Sequence, residues 1–96
     1  MWVVVTYDVS TESAEGRHRL RKVAQVCQDY GQRVQKSVFE CVVNQAQYEK
    51  LKDRLLKEAD LREDSLRFYR MPEPRSTYVE EFGVIEVIDF KGPLVI

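Results

Sequence analysis

Asp8 is the first residue whose type and place suggest chemistry, because it ends the apolar run Trp2-Val3-Val4-Val5-Thr6-Tyr7. Aspartate is disfavoured in strands, so a carboxylate there is either a turn residue or a site. A second feature is the basic cluster Arg17, Arg19, Arg21 and Lys22, continued by Arg33 and Lys36. Arginines at every second position (17, 19 and 21) cannot all share one helix face. They form either a solvated surface or a fan of guanidinium groups suited to phosphate. The third is the stretch Arg33-Val34-Gln35-Lys36-Ser37-Val38-Phe39-Glu40, which by pattern alone is a hairpin with a core aromatic. Other chemistries are excluded. With one histidine, His18, and two separated cysteines, Cys27 and Cys41, neither a zinc site nor a histidine-based triad can be assembled within one chain. Both cysteines sit among apolar neighbours and read as buried reduced thiols.

The elements that must carry these residues follow from the hydropathy pattern. Met1 to Val9 reads as an interior strand, apolar on both faces. From about Ala14 to Tyr30, Leu20, Val23, Ala24, Cys27 and Tyr30 recur at helical spacing, and Gly31 is expected to end the helix in the left-handed conformation. Gln32 to Val43 reads as a hairpin turning near Lys36-Ser37, with Phe39, Cys41 and Val43 on one face and Val38, Glu40 and Val42 on the other. Asn44 caps a second helix with Gln47 as reciprocal partner, and Tyr48, Leu51, Leu55 and Ala59 form its buried stripe. Ser65 to Met71 is a further strand, and a tail strand is expected at about 84–89.

The order β-α-β-β-α-β followed by an extra strand is an α+β, ferredoxin-like sandwich in a single domain, residues 1–96. Two helices cover only one face of such a sheet. The other face, also apolar, calls for a second copy, with the tail strand exchanged or paired across a homodimer. At 96 residues there is no room for a second core, and no run of about 18 apolar residues offers a membrane span. Met1 to Val5 is too short for a secretory leader and lacks its basic start, so the protein is expected in the cytoplasm.

The chain is 44% hydrophobic and 32% charged, with a net charge of −1 that conceals an uneven distribution. Residues 16–36 hold six basic residues against one acid, a net of +5, while residues 1–15 and 73–96 each carry −3. The basic charge is thus concentrated in the second feature and the start of the third, which favours nucleic acid as a partner.

Together, Thr6-Tyr7-Asp8-Val9, Arg19-Leu20-Arg21-Lys22-Val23 and Tyr30-Gly31-Gln32-Arg33-Val34-Gln35-Lys36-Ser37-Val38-Phe39-Glu40-Cys41 resemble the CRISPR-associated protein 2 family in order, spacing and total length. Members often carry an aromatic residue where this chain has Lys36, which changes what the hairpin presents to a nucleic acid. The resemblance implies a homodimer acting in CRISPR immunity with the CRISPR-associated integrase in spacer acquisition. It also implies a metal-dependent endonuclease acting on single-stranded RNA or duplex DNA. Carried over by motif, Asp8 is the magnesium ligand and Tyr7 its catalytic neighbour, while Arg17, Arg19, Arg21, Arg33, Ser37 and Phe39 line the nucleic-acid surface. One Asp per chain is too little for a Mg²⁺ site, but two Asp8 carboxylates brought together across a two-fold axis would share one ion. That ion would acidify a bound water and polarise a phosphoryl oxygen, so activity is expected to rise toward alkaline pH. The alternative is a non-catalytic scaffold dimer that holds duplex DNA by its phosphates and needs the arginines but not Asp8. A small-molecule sensor would need a Gly-rich ligand loop, whereas Gly16, Gly31, Gly83 and Gly92 are scattered.

Overall fold

The computed structural model describes residues 1–72 and 75–84, with only the backbone of Arg75. β1 (Trp2–Asp8) leads through a loop to α1 (Ala14–Tyr30), then to the hairpin β2 (Gly31–Gln35) and β3 (Val38–Val42). α2 (Gln45–Glu58), β4 (Ser65–Met71) and the short α3 (Arg75–Tyr78) follow. The sheet is antiparallel throughout, in the order β2-β3-β1-β4, so the most apolar strand lies inside as its sequence predicts. This is the ferredoxin-like arrangement expected from the element order.

Local chemistry accounts for the helix boundaries. Ser13 caps α1 by accepting the Gly16 N–H at 3.0 Å. Asn44 and Gln47 close the predicted reciprocal box at the start of α2, at 2.8 and 2.9 Å. The end of α1 corrects an expectation. Gly31 is extended (φ −164°), not left-handed, and its N–H closes the helix on the Cys27 carbonyl. A glycine is needed there because a Cβ would run into the Glu40 carbonyl of the neighbouring strand.

Strand alternation then divides the sheet. Val3, Val5 and Tyr7 of β1 and Phe39 and Cys41 of β3 face the helices, where Val23, Val26 and Cys27 of α1 and Tyr48, Leu51 and Leu55 of α2 complete the core. Burial holds the Cys27 thiol far above its ordinary range and pushes that of Cys41 up to about 12, so both are neutral packing groups. The opposite face carries Val4, Thr6 and Asp8 of β1, Val38, Glu40 and Val42 of β3, and Arg67, Tyr69 and Met71 of β4, as their registers dictate. Val42 is 81% exposed there, while Trp2 is covered by the Tyr78 ring of α3, with centroids 6.1 Å apart. Beyond Val84 the expected tail strand lies outside the described residues. Among the described residues, no helix is long and apolar enough to cross a membrane.

Candidate nucleic-acid and metal site

Period-two alternation puts Tyr7 and Asp8 on opposite faces at the same strand end. Asp8 is exposed on the open face, directly across from Ser65 of β4. Tyr7 points into the core, its ring packed against Phe39 with centroids 6.2 Å apart. Its N–H donates to the Ser37 carbonyl at 3.1 Å and its hydroxyl to the Lys36 carbonyl at 3.3 Å. Burial raises the phenol's pKa, the neighbouring Cys27 adds to the rise, and the charge and hydrogen bond of Arg33 offset part of it. Tyr7 therefore holds the β2–β3 turn in place beside Asp8. A buried phenol with a raised pKa is poorly placed for proton transfer at the surface.

The same end of the sheet gathers most of the remaining candidates. Ser37, half-buried in the turn, is tied to Tyr7 through its carbonyl. Arg33 lies over the Phe39 ring, its guanidinium carbon 5.1 Å from the centroid. Phe39 itself is fully buried, which corrects its expected place on a substrate surface. Its parity on β3 matches that of Cys41 and Val43, and all three face the helices. Phe39 supports Tyr7 and Arg33 from beneath.

The arginines divide as their spacing requires. Arg17 and Arg21, four residues apart on α1, are both exposed on one face, and Arg17 donates to the Thr11 carbonyl at 3.2 Å. Arg19 turns elsewhere. Its Nε and Nη2 meet Asp64 Oδ2 and Oδ1 at 2.8 and 3.2 Å, and its side chain is only 15% exposed. Asp64 was not singled out by the sequence, where it reads as one more acid in a charged loop 45 residues away. The only hint is its place directly before a strand. Burial pushes its carboxyl up, but the hydrogen bonds from Arg19 and from the Asp60 and Ser10 backbones outweigh this and hold it below the usual range.

A metal must be tested against these donors. Among the described residues, no group of three or more histidine, cysteine, aspartate or glutamate side chains could hold an ion. Asp8 stands at the site as a single exposed carboxylate. That suits Mg²⁺, which keeps several waters and takes one or two carboxylates, provided a second Asp8 is brought close.

With the geometry established, the comparisons with known proteins identify the family. The model of the family described as CRISPR associated protein Cas2 matches residues 1–78. The chain belongs to the Cas2 family. It is 62% identical over 96 residues to the CRISPR-associated endoribonuclease Cas2 1 of Moorella thermoacetica, covering all of both chains. It is 50% identical over 95 residues to the CRISPR-associated endonuclease Cas2 of Halalkalibacterium halodurans, covering 99% of each. The crystal structure of Streptococcus pyogenes Cas2 superposes with a TM-score of 0.77 at 52% identity, over 86% of this chain and all of that one. Membership of the Cas2 family supports a CRISPR role and places the Tyr7-Asp8 strand end within the matched residues.

Proposed function

We propose that this Cas2 chain works as a homodimer that cleaves phosphodiester bonds with Mg²⁺ shared between the two Asp8 carboxylates. It would serve spacer acquisition alongside the CRISPR-associated integrase. The observation that carries this reading is the exposed Asp8 at the rim of the sheet face opposite α1 and α2. The Lys36-Ser37 turn flanks it on one side and Ser65 on the other. Arg17 and Arg21 stand exposed on α1 to meet phosphates. The ion, when bound, supplies a Lewis acid for the phosphoryl oxygen. The names carried by the Moorella and Halalkalibacterium relatives, an endoribonuclease and an endonuclease, support single-stranded RNA and duplex DNA as the substrates to assay first.

The scaffold reading rests on a specific observation too. At the site each chain brings one exposed carboxylate, Asp8, against two exposed arginines on a common helix face, which suits holding phosphates more than cutting between them. Asp8→Asn separates the two. The side chain is exposed and nearly isosteric, so the fold should be kept. Mg²⁺-dependent cleavage of RNA and duplex DNA should fall by about 10²-fold or more, because the ion is lost with its ligand. Cleavage that persists at the wild-type rate removes the metal reading. Binding that survives Asp8→Asn but weakens with salt, and with Arg17→Ala plus Arg21→Ala, supports the scaffold.

A further inference from the structure

We propose that Arg19 and Asp64 form a clamp that positions Asp8, and that Arg19 serves the reaction through this clamp without touching nucleic acid. The proposal rests on the cleavage reading above and deepens it. Asp64 precedes β4, and its side chain has no exposed surface. Its carboxylate accepts four hydrogen bonds. Oδ1 takes the Ser10 N–H at 3.1 Å and Arg19 Nη2 at 3.2 Å; Oδ2 takes the Asp60 N–H at 2.9 Å and Arg19 Nε at 2.8 Å. That uses the acceptor capacity of an ionised carboxylate in full.

Two of its neighbours border Asp8. Ser10 lies two residues beyond it along the chain, and Ser65, which follows Asp64, is its cross-strand partner. The clamp thus grips the backbone on both sides of the candidate ligand. Ser10 is held at its other end as well, since a Cβ on Gly16 would run into the Ser10 carbonyl, so the first turn of α1 packs flush against that peptide. Arg19 extends from the same helix three residues later.

A phosphate that drew Arg19 away would leave the buried Asp64 carboxylate with its two backbone N–H donors but without a counter-charge, which is strongly unfavourable. Arg17 and Arg21 are already exposed and need no such exchange. A catalytic group displaced by about 1 Å can cost on the order of 10²-fold in rate, so a clamp beside Asp8 belongs to the reaction even though it stays out of contact with substrate.

The test compares Arg19→Ala, Arg19→Lys and Asp64→Asn with Arg17→Ala. Three readouts are followed: the kcat and KM of Mg²⁺-dependent cleavage, the salt dependence of nucleic-acid binding, and amide hydrogen exchange. Arg19→Ala and Asp64→Asn should lower kcat by about tenfold or more and leave KM and the salt slope as in the wild type. Arg17→Ala should reduce that slope by about one. A raised KM with a reduced slope for Arg19→Ala makes Arg19 a phosphate contact and overturns the clamp. Arg19→Lys keeps the charge, so it should fold where the others fail, and it should recover kcat only in part because an ammonium cannot reproduce the two-armed contact. Full recovery overturns the proposal. The Ser10 amide should exchange about tenfold faster in each variant while the β1 and β3 core amides stay unchanged; an unaltered Ser10 amide overturns it. Exchange needs no turnover, so a wild-type protein that fails to cleave refutes the proposed activity while the clamp is still judged.

Discussion

Tyr7 and Asp8 are adjacent in sequence and opposite in environment, one sealed in the core and one at the surface. The family motif names both, but only the alternation of the strand tells their roles apart. In the proposed site Asp8 is the metal ligand; Tyr7 holds the hairpin turn. Tyr7→Phe removes the hydrogen bond to the Lys36 carbonyl and the one shared with Arg33, and leaves the ring on Phe39. Stability should drop by about 1–3 kcal/mol in urea denaturation. Cleavage should stay within a factor of about three, since no proton passes through the phenol. A loss comparable to that of Asp8→Asn would return Tyr7 to the reacting groups. The burial of Phe39 was legible in the same way, from its parity with Cys41 and Val43. The motif assigned it to the surface, whereas the pattern placed it inside.

At the scale of elements, periodicity and capping chemistry were sufficient for most of the chain. The bounds of α1, the Lys36-Ser37 turn, the Asn44 box and β4 are all local signals, and all appear in the structure. Gly31 was misread because a glycine after a helix has two physical causes, left-handed backbone or close approach, and the second depends on a strand not yet reached in sequence. The two causes predict different orders of damage. A left-handed position tolerates asparagine better than alanine. An extended position pressed against the Glu40 carbonyl should reject both, and the larger side chain more strongly. Gly31→Ala should cost about 1–3 kcal/mol and Gly31→Asn more. Urea midpoints in the reverse order would restore the left-handed cap. The pairing of Arg19 with Asp64 was hidden for a related reason. It spans 45 positions, and neither residue has a local pattern that distinguishes it from an ordinary surface charge.

For the whole molecule, the decisive asymmetry is that both helices of the sandwich lie on one side of the sheet. The opposite face presents Val4, Val38, Val42, Tyr69 and Met71 with Asp8 at its rim; Val42 and Tyr69 are exposed there, while Trp2 is covered by Tyr78. A second copy on this face would bury the apolar rows and draw the two Asp8 carboxylates toward one another, so dimerisation and metal binding stand or fall together. Val42→Asp tests that coupling. Because Val42 is 81% exposed in the single chain, the substitution should alter the folding of the subunit by no more than about 0.5 kcal/mol. In a closed interface the new carboxylate would be buried without a partner, at a cost of a few kcal/mol. Sedimentation should find the wild type dimeric and the variant monomeric at the same concentration, with native circular dichroism in both. Mg²⁺-dependent cleavage should fall in proportion to the dimer lost, although Asp8, Arg17 and Arg21 are untouched. A variant that stays dimeric and cleaves at the wild-type rate would place the interface elsewhere. A variant that is monomeric and still cleaves would show that one Asp8 is enough.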